Sequence, residues 1–349
     1  MGGVIDWTLA RRLATTVASE PPRPPLRVDL GDLSDEAERL VGGYTRLVPS
    51  LPLPRAEAVD RRSWIDANLR TIRGVVDPLS EKVGSSMGPL QGPMRSVAGY
   101  VLAAEVGVVF GFMAQRVLGQ YELALLEPAA PPRLLYVAPN LSEAIDKFEA
   151  DREQFLRWVA LHEVTHALQF GGVPWLREHM AGMMRELLDK VQLNVNPAGA
   201  MKLPDTKDLK GIVDQVRKGD LLSVVTTPEQ RVMLDRVQAT MAVIEGYAEH
   251  VMDEVGSRVL PSLPELRAAM EKRRATASPV VRFLQRLLGL EMKLRQYQQG
   301  KRFCDAVVAK EGIEGLNRVW RSPDALPTLA ELDDPDAWRE RTKVLALTA

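Results

Sequence analysis

Two histidines four residues apart, His162 and His166, enclose a glutamate, Glu163, in the stretch Val159-Ala-Leu-His-Glu-Val-Thr-His-Ala-Leu168. The spacing matters only if the segment is helical. At 3.6 residues per turn, positions i and i+4 share a face one turn apart, so both imidazoles can reach one cation. Glu163 then projects beside that face, able to take a proton from a water held by the cation. Uncharged neighbours on both sides, Val159 to Leu161 and Ala167 to Leu168, describe a helix buried beneath a cleft. The competing reading is two core histidines with ordinary hydrogen bonds.

The rest of the composition narrows the chemistry. The 349 residues include four histidines and one cysteine, Cys304. A lone cysteine forms neither an intrachain disulfide nor a cysteine zinc knuckle, so a metal site must use histidine and carboxylate. With Lys+Arg 45 against Asp+Glu 46 the formal net charge is −1, which argues against a globally basic nucleic-acid binder. The window from Val97 to Leu118 is apolar enough to raise the question of a membrane span. It carries Glu105, Gln115 and Arg116, and Gly99, Ala103, Gly107 and Gly111 place a small-residue stripe on one helix face. A buried core helix against which another backbone packs closely is the expectation. No signal peptide is read at Met1 to Trp7, and the expected location is the cytoplasm, with no membrane attachment.

Helical periodicity dominates, and the fold class expected is mainly α. Arg133 to Ala138, bounded by prolines, is the best strand candidate. A helical pattern runs from about Ser142 to Phe170 and stops at Gly171-Gly172. Asn194 to Gly211 reads as loop. Thr227-Pro-Glu-Gln230 has the form of a capping box, opening a helix expected to end near Gly256. The expected organisation is an N-terminal helical region (1–125), a zinc-binding core with a helical insert (126–258) and a C-terminal helical region (259–349). A run rich in Arg and Lys from Arg267 to Arg302 reads as a solvated helix face, and no nucleic-acid partner is expected.

A catalytic zinc usually has three protein ligands and one open position. A metzincin arrangement would place a glycine and a third histidine shortly after His166, where Gln169 and Gly172 stand instead. The segment Ile244-Glu-Gly-Tyr-Ala-Glu-His250 resembles the Glu-Gly-aromatic-Ala segment of gluzincin peptidases, which would make Glu245 the third ligand. Glu249, one turn on, could hold a ligand imidazole through its other nitrogen. The alternative is a solvated acidic helix face; against it, Met241 to Tyr247 is nearly all apolar. His250, Tyr247 and Tyr297 could each donate a proton to a developing oxyanion or simply pack. His179 reads as structural.

Taken together, these segments resemble the zincin-like hydrolases associated with biosynthesis of the deazaflavin coenzyme F-four-twenty. The resemblance rests on Val4 to Trp7, Arg116 to Tyr121, His162 to Gln169 and Ile244 to His250. It continues through Gln296 to Gly300, Phe303, Asn317 to Trp320, Leu326 to Thr328 and Pro335 to Trp338. It implies a zincin-like, gluzincin-type metallopeptidase fold with a small edge sheet and extra helical subdomains. Zinc would sit on His162, His166 and Glu245. Zincin folds commonly hold extended peptides on an edge strand, and Leu134 to Ala138 has the expected place in chain order. The 78 positions between His166 and Glu245 form a longer insert than in common gluzincins.

Two function classes follow. The first is a zinc hydrolase, a peptidase or amidase, with Glu163 as general base and a peptide or amide substrate. The second is a non-catalytic zincin-fold protein that binds metal and acts through a partner. The retained Glu163 favours the first, because a purely structural site needs no base.

Overall fold

The computed structural model describes residues 5–19, 26, 28–86, 91–125, 127, 130–190, 228–275 and 290–348. The chain forms two compact units, one made of 1–181 with 248–270, the other of 182–247 with 271–349. The expected loop from Asn194 to Gly211, and Thr227 of the capping box, lie outside the described residues.

The first unit begins with α1 (Trp7–Val17), whose first turn is closed by the Asp6 carboxylate accepting the Leu9 N–H at 2.9 Å. Then come α2 (Leu30–Thr45), β1 (Ala56–Val59), α3 (Arg61–Ser86), α4 (Gln91–Ala114), β2 (Gly119–Glu122) and β3 (Arg133–Val137). After them follow α5 (Ala138–Phe148), α6 (Arg152–Gly172) and α7 (Leu176–Lys190), whose residues from Gly182 on belong to the second unit. The small-residue stripe of α4 meets α1: a Cβ on Gly107 or Gly111 would lie 2.6 Å from the carbonyl oxygen of Ala10 or Ala14. Ala10 and Ala14 are themselves fully buried, so two smooth helix faces touch at backbone distance. Among the described residues, no helix is long and apolar enough to cross a membrane.

The sheet has three strands in the order β1-β3-β2, with β1 parallel and β2 antiparallel to β3. This corrects the expectation that Leu134 to Ala138 supplies an edge strand. Leu134 to Val137 are paired on both sides and fully buried, as a continuous apolar run in a central strand should be. The edge beside α6 is β2 instead. A buried polar knot fixes the end of α4 that leads into it. Asn140 donates to the carbonyls of Ala114 and Val117 at 2.7 and 2.6 Å and accepts from Arg61, which pairs with Glu143 at 2.7 Å.

The helical pattern from Ser142 to Phe170 is two helices rather than one. Glu149 takes a left-handed conformation, φ 51°, and ends α5; the Asp151 side chain then accepts the Gln154 N–H at 2.9 Å and opens α6. A short acid able to cap competes with helix continuation. The later helix α8 (Pro228–Val259) runs through Gly256 rather than ending there, and passes from one unit to the other between Tyr247 and Ala248. Helix α9 (Leu263–Ala275) follows it.

The second unit contains the start of α8, then α10 (Leu290–Leu316), two short 3-10 turns (Asn317–Trp320 and Pro323–Ala325), α11 (Leu329–Asp333) and α12 (Pro335–Thr348). Helix α10 kinks at Gly312, φ 67°. Its core is Phe303 edge-on to Trp338, with the Trp338 indole N–H donating to the Ala325 carbonyl at 2.7 Å. Cys304 is fully buried beside them, and burial pushes its thiol up. Most of the basic run between Arg267 and Arg302 lies outside the described side chains.

Gly111→Leu drives a branched side chain into the Ala14 carbonyl and Val17. It should cost ~1–3 kcal/mol, the usual penalty for overpacking, and lower the urea midpoint; an unchanged midpoint would mean that α1 and α4 do not touch as described.

Candidate metal centre

Beyond its exposed first turn, helix α6 is packed on most sides, with Phe155, Leu156, Val159, Leu161, Val164 and Leu168 all buried. Such packing holds its polar side chains in fixed places. His162 and His166 project from it one turn apart, half-buried, their rings edge-to-face with centroids 4.7 Å apart. Their Nε2 atoms face each other at 3.2 Å. The outer nitrogens meet acceptors: His166 Nδ1 lies 2.9 Å from Gln169 Oε1, and His162 Nδ1 lies 3.0 Å from the Met252 sulfur.

A thioether has no proton to give and an amide oxygen only accepts. With the proton of each neutral ring on Nδ1, these contacts would be donated bonds and both Nε2 atoms would be open to a cation. Glu245 adds a carboxylate oxygen, and one ligand atom from each of the three residues falls within 4.8 Å of the others. Its position follows from the continuity of α8, because Glu245 stands under two turns before Met252 on that helix. At that spacing one cation could be reached by all three ligand atoms. Two imidazoles and a carboxylate are also the ligand types zinc accepts.

Glu163 is 7% exposed and turns from α6 toward β2. The Tyr121 backbone N–H donates to its Oε2 at 3.1 Å. Pairing of Val137 N–H with the Leu118 carbonyl sets the register, so Gly119 and Tyr121 turn their backbone groups away from β3 and toward this carboxylate. Gly119 makes the approach possible: a Cβ there would sit 2.6 Å from Glu163 Cγ. The edge strand and the glutamate are thus built against each other. Tyr121 also stacks on Phe170.

On α8 the residues divide by face. Glu245 and Glu249 are half-buried and one turn apart. Glu249 takes Arg267 at 3.4 Å, and Asp253 pairs with the same guanidinium. Gly246 passes so close to Gly300 of α10, and Gly300 to Ala242, that neither glycine has room for a Cβ. Tyr247 is fully buried; its hydroxyl donates to Asn317 Oδ1 at 2.8 Å and its ring meets Trp320 edge-on. His250 is 3% exposed, with Nε2 2.8 Å from the Tyr44 hydroxyl. His179 packs edge-on to Trp175. Tyr297 falls in α10, and its side chain lies outside the described residues.

Four residues of this centre were not singled out from sequence: Gly119, Tyr121, Gln169 and Met252. Gly119 and Tyr121 act through their backbones, which side-chain chemistry does not announce. Gln169 follows His166 by three positions, so its reach was available from helix spacing alone. Met252 had no signal, since a methionine on a core face reads as packing.

The sequence profile of the zincin-like metallopeptidases matches residues 5–338. Comparison with curated proteins gives no match. Among solved structures, the chain is similar to a protein of Chloroflexus aurantiacus described as a "putative hydrolase with a novel fold". The two are 31% identical with a TM-score of 0.73, over 97% of this chain and 99% of that one. With a profile match along nearly its whole length, a mainly helical fold around a small sheet, and two histidines and a glutamate set for a cation, the chain belongs to the zincin-like metallopeptidase family.

Proposed function

We propose that the protein is a zinc-dependent hydrolase acting on a peptide or amide bond, with His162, His166 and Glu245 as metal ligands and Glu163 as general base. The observation that carries this reading is the convergence of two imidazoles and one carboxylate, with one ligand atom of each within 4.8 Å of the others. Glu163, on the same helix and already fixed by a backbone donor, supplies the base a purely structural site has no use for. Zinc bound by these three side chains would polarise a scissile carbonyl and bring the pKa of its water toward ~7.

The chain's own groups divide the remaining work. Glu163 takes the proton of the attacking water and returns it to the leaving amine, so the carboxylate starts and ends each turnover ionised. The Tyr121 N–H and the absence of a Cβ at Gly119 hold that carboxylate in one place, and a charged acceptor on a backbone donor is worth ~1.5–3 kcal/mol. Apart from the Tyr121 N–H, which Glu163 takes, the outer edge of β2 would offer its remaining backbone groups to an extended substrate, the usual way an edge strand takes a peptide. The fully buried sides of Leu134 to Val137 keep β2 rigid from behind.

Three measurements test this reading. Metal analysis should find about one zinc per wild-type chain and far less in His166→Ala and Glu245→Ala. Full occupancy in Glu245→Ala removes Glu245 from the ligand set, and an empty wild type overturns the reading. Glu163→Gln should keep its zinc and lose ~10²–10⁴-fold in turnover against a peptide library. A zinc-loaded wild type that cleaves nothing across such a library would favour a metal-binding accessory protein instead. Gly119→Ala should keep its zinc but lower kcat at least ~10-fold by displacing Glu163, as a misplacement of about 1 Å does to a catalytic group. Wild-type kcat in Gly119→Ala would separate β2 from the chemistry.

A further inference from the structure

We infer that Gln169 is the residue that fixes His166 for metal binding. The inference rests on the metal-site reading above and assigns a part of that site which neither the motif nor the ligand set contains. The side chain of Gln169 is fully buried, three residues after His166 on one rigid helix, and its Oε1 stands 2.9 Å from His166 Nδ1. An amide oxygen accepts, so this 2.9 Å contact favours the ring form with its proton on Nδ1. That form leaves Nε2 able to bind a metal on the side where His162 Nε2 and the Glu245 carboxylate lie.

Gln169 is chosen over a carboxylate for a physical reason visible in the centre. Glu163 and Glu245 already place two negative charges beside the imidazoles, and Glu163 is buried. A third carboxylate in the same buried stretch of α6 would need a further cation. A neutral amide gives the same directional acceptor with no added charge. Its counterpart at His162 is softer still: the Met252 sulfur at 3.0 Å, also neutral and also only an acceptor. The two ligands are therefore held unequally, His166 by a strong acceptor on its own helix and His162 by a weak one on α8.

The test uses zinc itself and needs no substrate. Zinc affinity is measured by competition with a chromophoric chelator for wild type, Gln169→Leu and Gln169→Glu, with far-UV circular dichroism of each metal-free protein as the check on folding. Gln169→Leu, which keeps volume and loses the acceptor, should weaken zinc ~10–100-fold, the range seen when the outer partner of a ligand histidine is removed. Gln169→Glu, which keeps the acceptor, should bind zinc more tightly than Gln169→Leu, while its added buried charge lowers the urea midpoint of the metal-free protein. A folded Gln169→Leu with wild-type affinity would overturn the assignment.

If Gln169→Leu does not fold, long-range ¹H–¹⁵N spectra of the metal-free wild type at alkaline pH decide the matter. Protonation of His166 at Nδ1 supports the assignment, and protonation at Nε2 overturns it. A wild type that takes up no zinc sinks the proposed function, while the tautomer reading still stands or falls by itself.

Discussion

The structure around the candidate centre depends on one geometric constraint: two imidazoles and a carboxylate are brought together so that one ligand atom of each lies within 4.8 Å of the others. Helix geometry sets His162 and His166 one turn apart, with their Nδ1 atoms against Met252 and Gln169 and their Nε2 atoms facing each other. A cation bound there would draw on all three groups, and its binding would add to the stability of the fold. The elements around it serve to keep that cluster in place. Helix α6 is packed on most sides beyond its first turn, α8 carries Glu245, and β2 closes over Glu163.

Backbone proximity is how those elements get close enough. Glycines stand where α1 meets α4, where β2 meets Glu163 and where α8 meets α10. Each leaves out a side chain where the neighbouring group stands too close for a Cβ. In the second unit Phe303 packs edge-on to Trp338, and Tyr247, one position beyond Gly246, packs edge-on to Trp320. Neighbouring residues of α8 thus have different tasks: Glu245 faces the imidazoles, Gly246 makes the crossing, and Tyr247 packs.

Much of this was legible in the residues. The helix carrying His162 and His166, the close-packing stripe of α4 and the predominance of helix all follow from spacing and composition. The strand at Arg133 to Val137 was also legible, but its role was not. An apolar run bounded by prolines does not say whether its neighbours pair on one side or both, and the four-residue β2 is too short to show a period. The break between α5 and α6 was hidden for a related reason: the apolar pattern continues across Glu149 to Asp151, and only the capping geometry separates two helices from one. The partners of the imidazoles could not be read because they depend on which α8 residue lies beside His162. Glu249, the carboxylate that spacing offered for that task, lies against Arg267, and Met252 meets His162 Nδ1.

The central claim is that two imidazoles and a carboxylate hold zinc. X-ray absorption at the zinc edge of the purified, metal-loaded wild type addresses it most directly. The account predicts a first shell of nitrogen and oxygen at ~2.0–2.2 Å with the outer-shell scattering of two imidazole rings and no sulfur. A shell containing sulfur near ~2.3 Å, or one of oxygen alone without imidazole scattering, would contradict it.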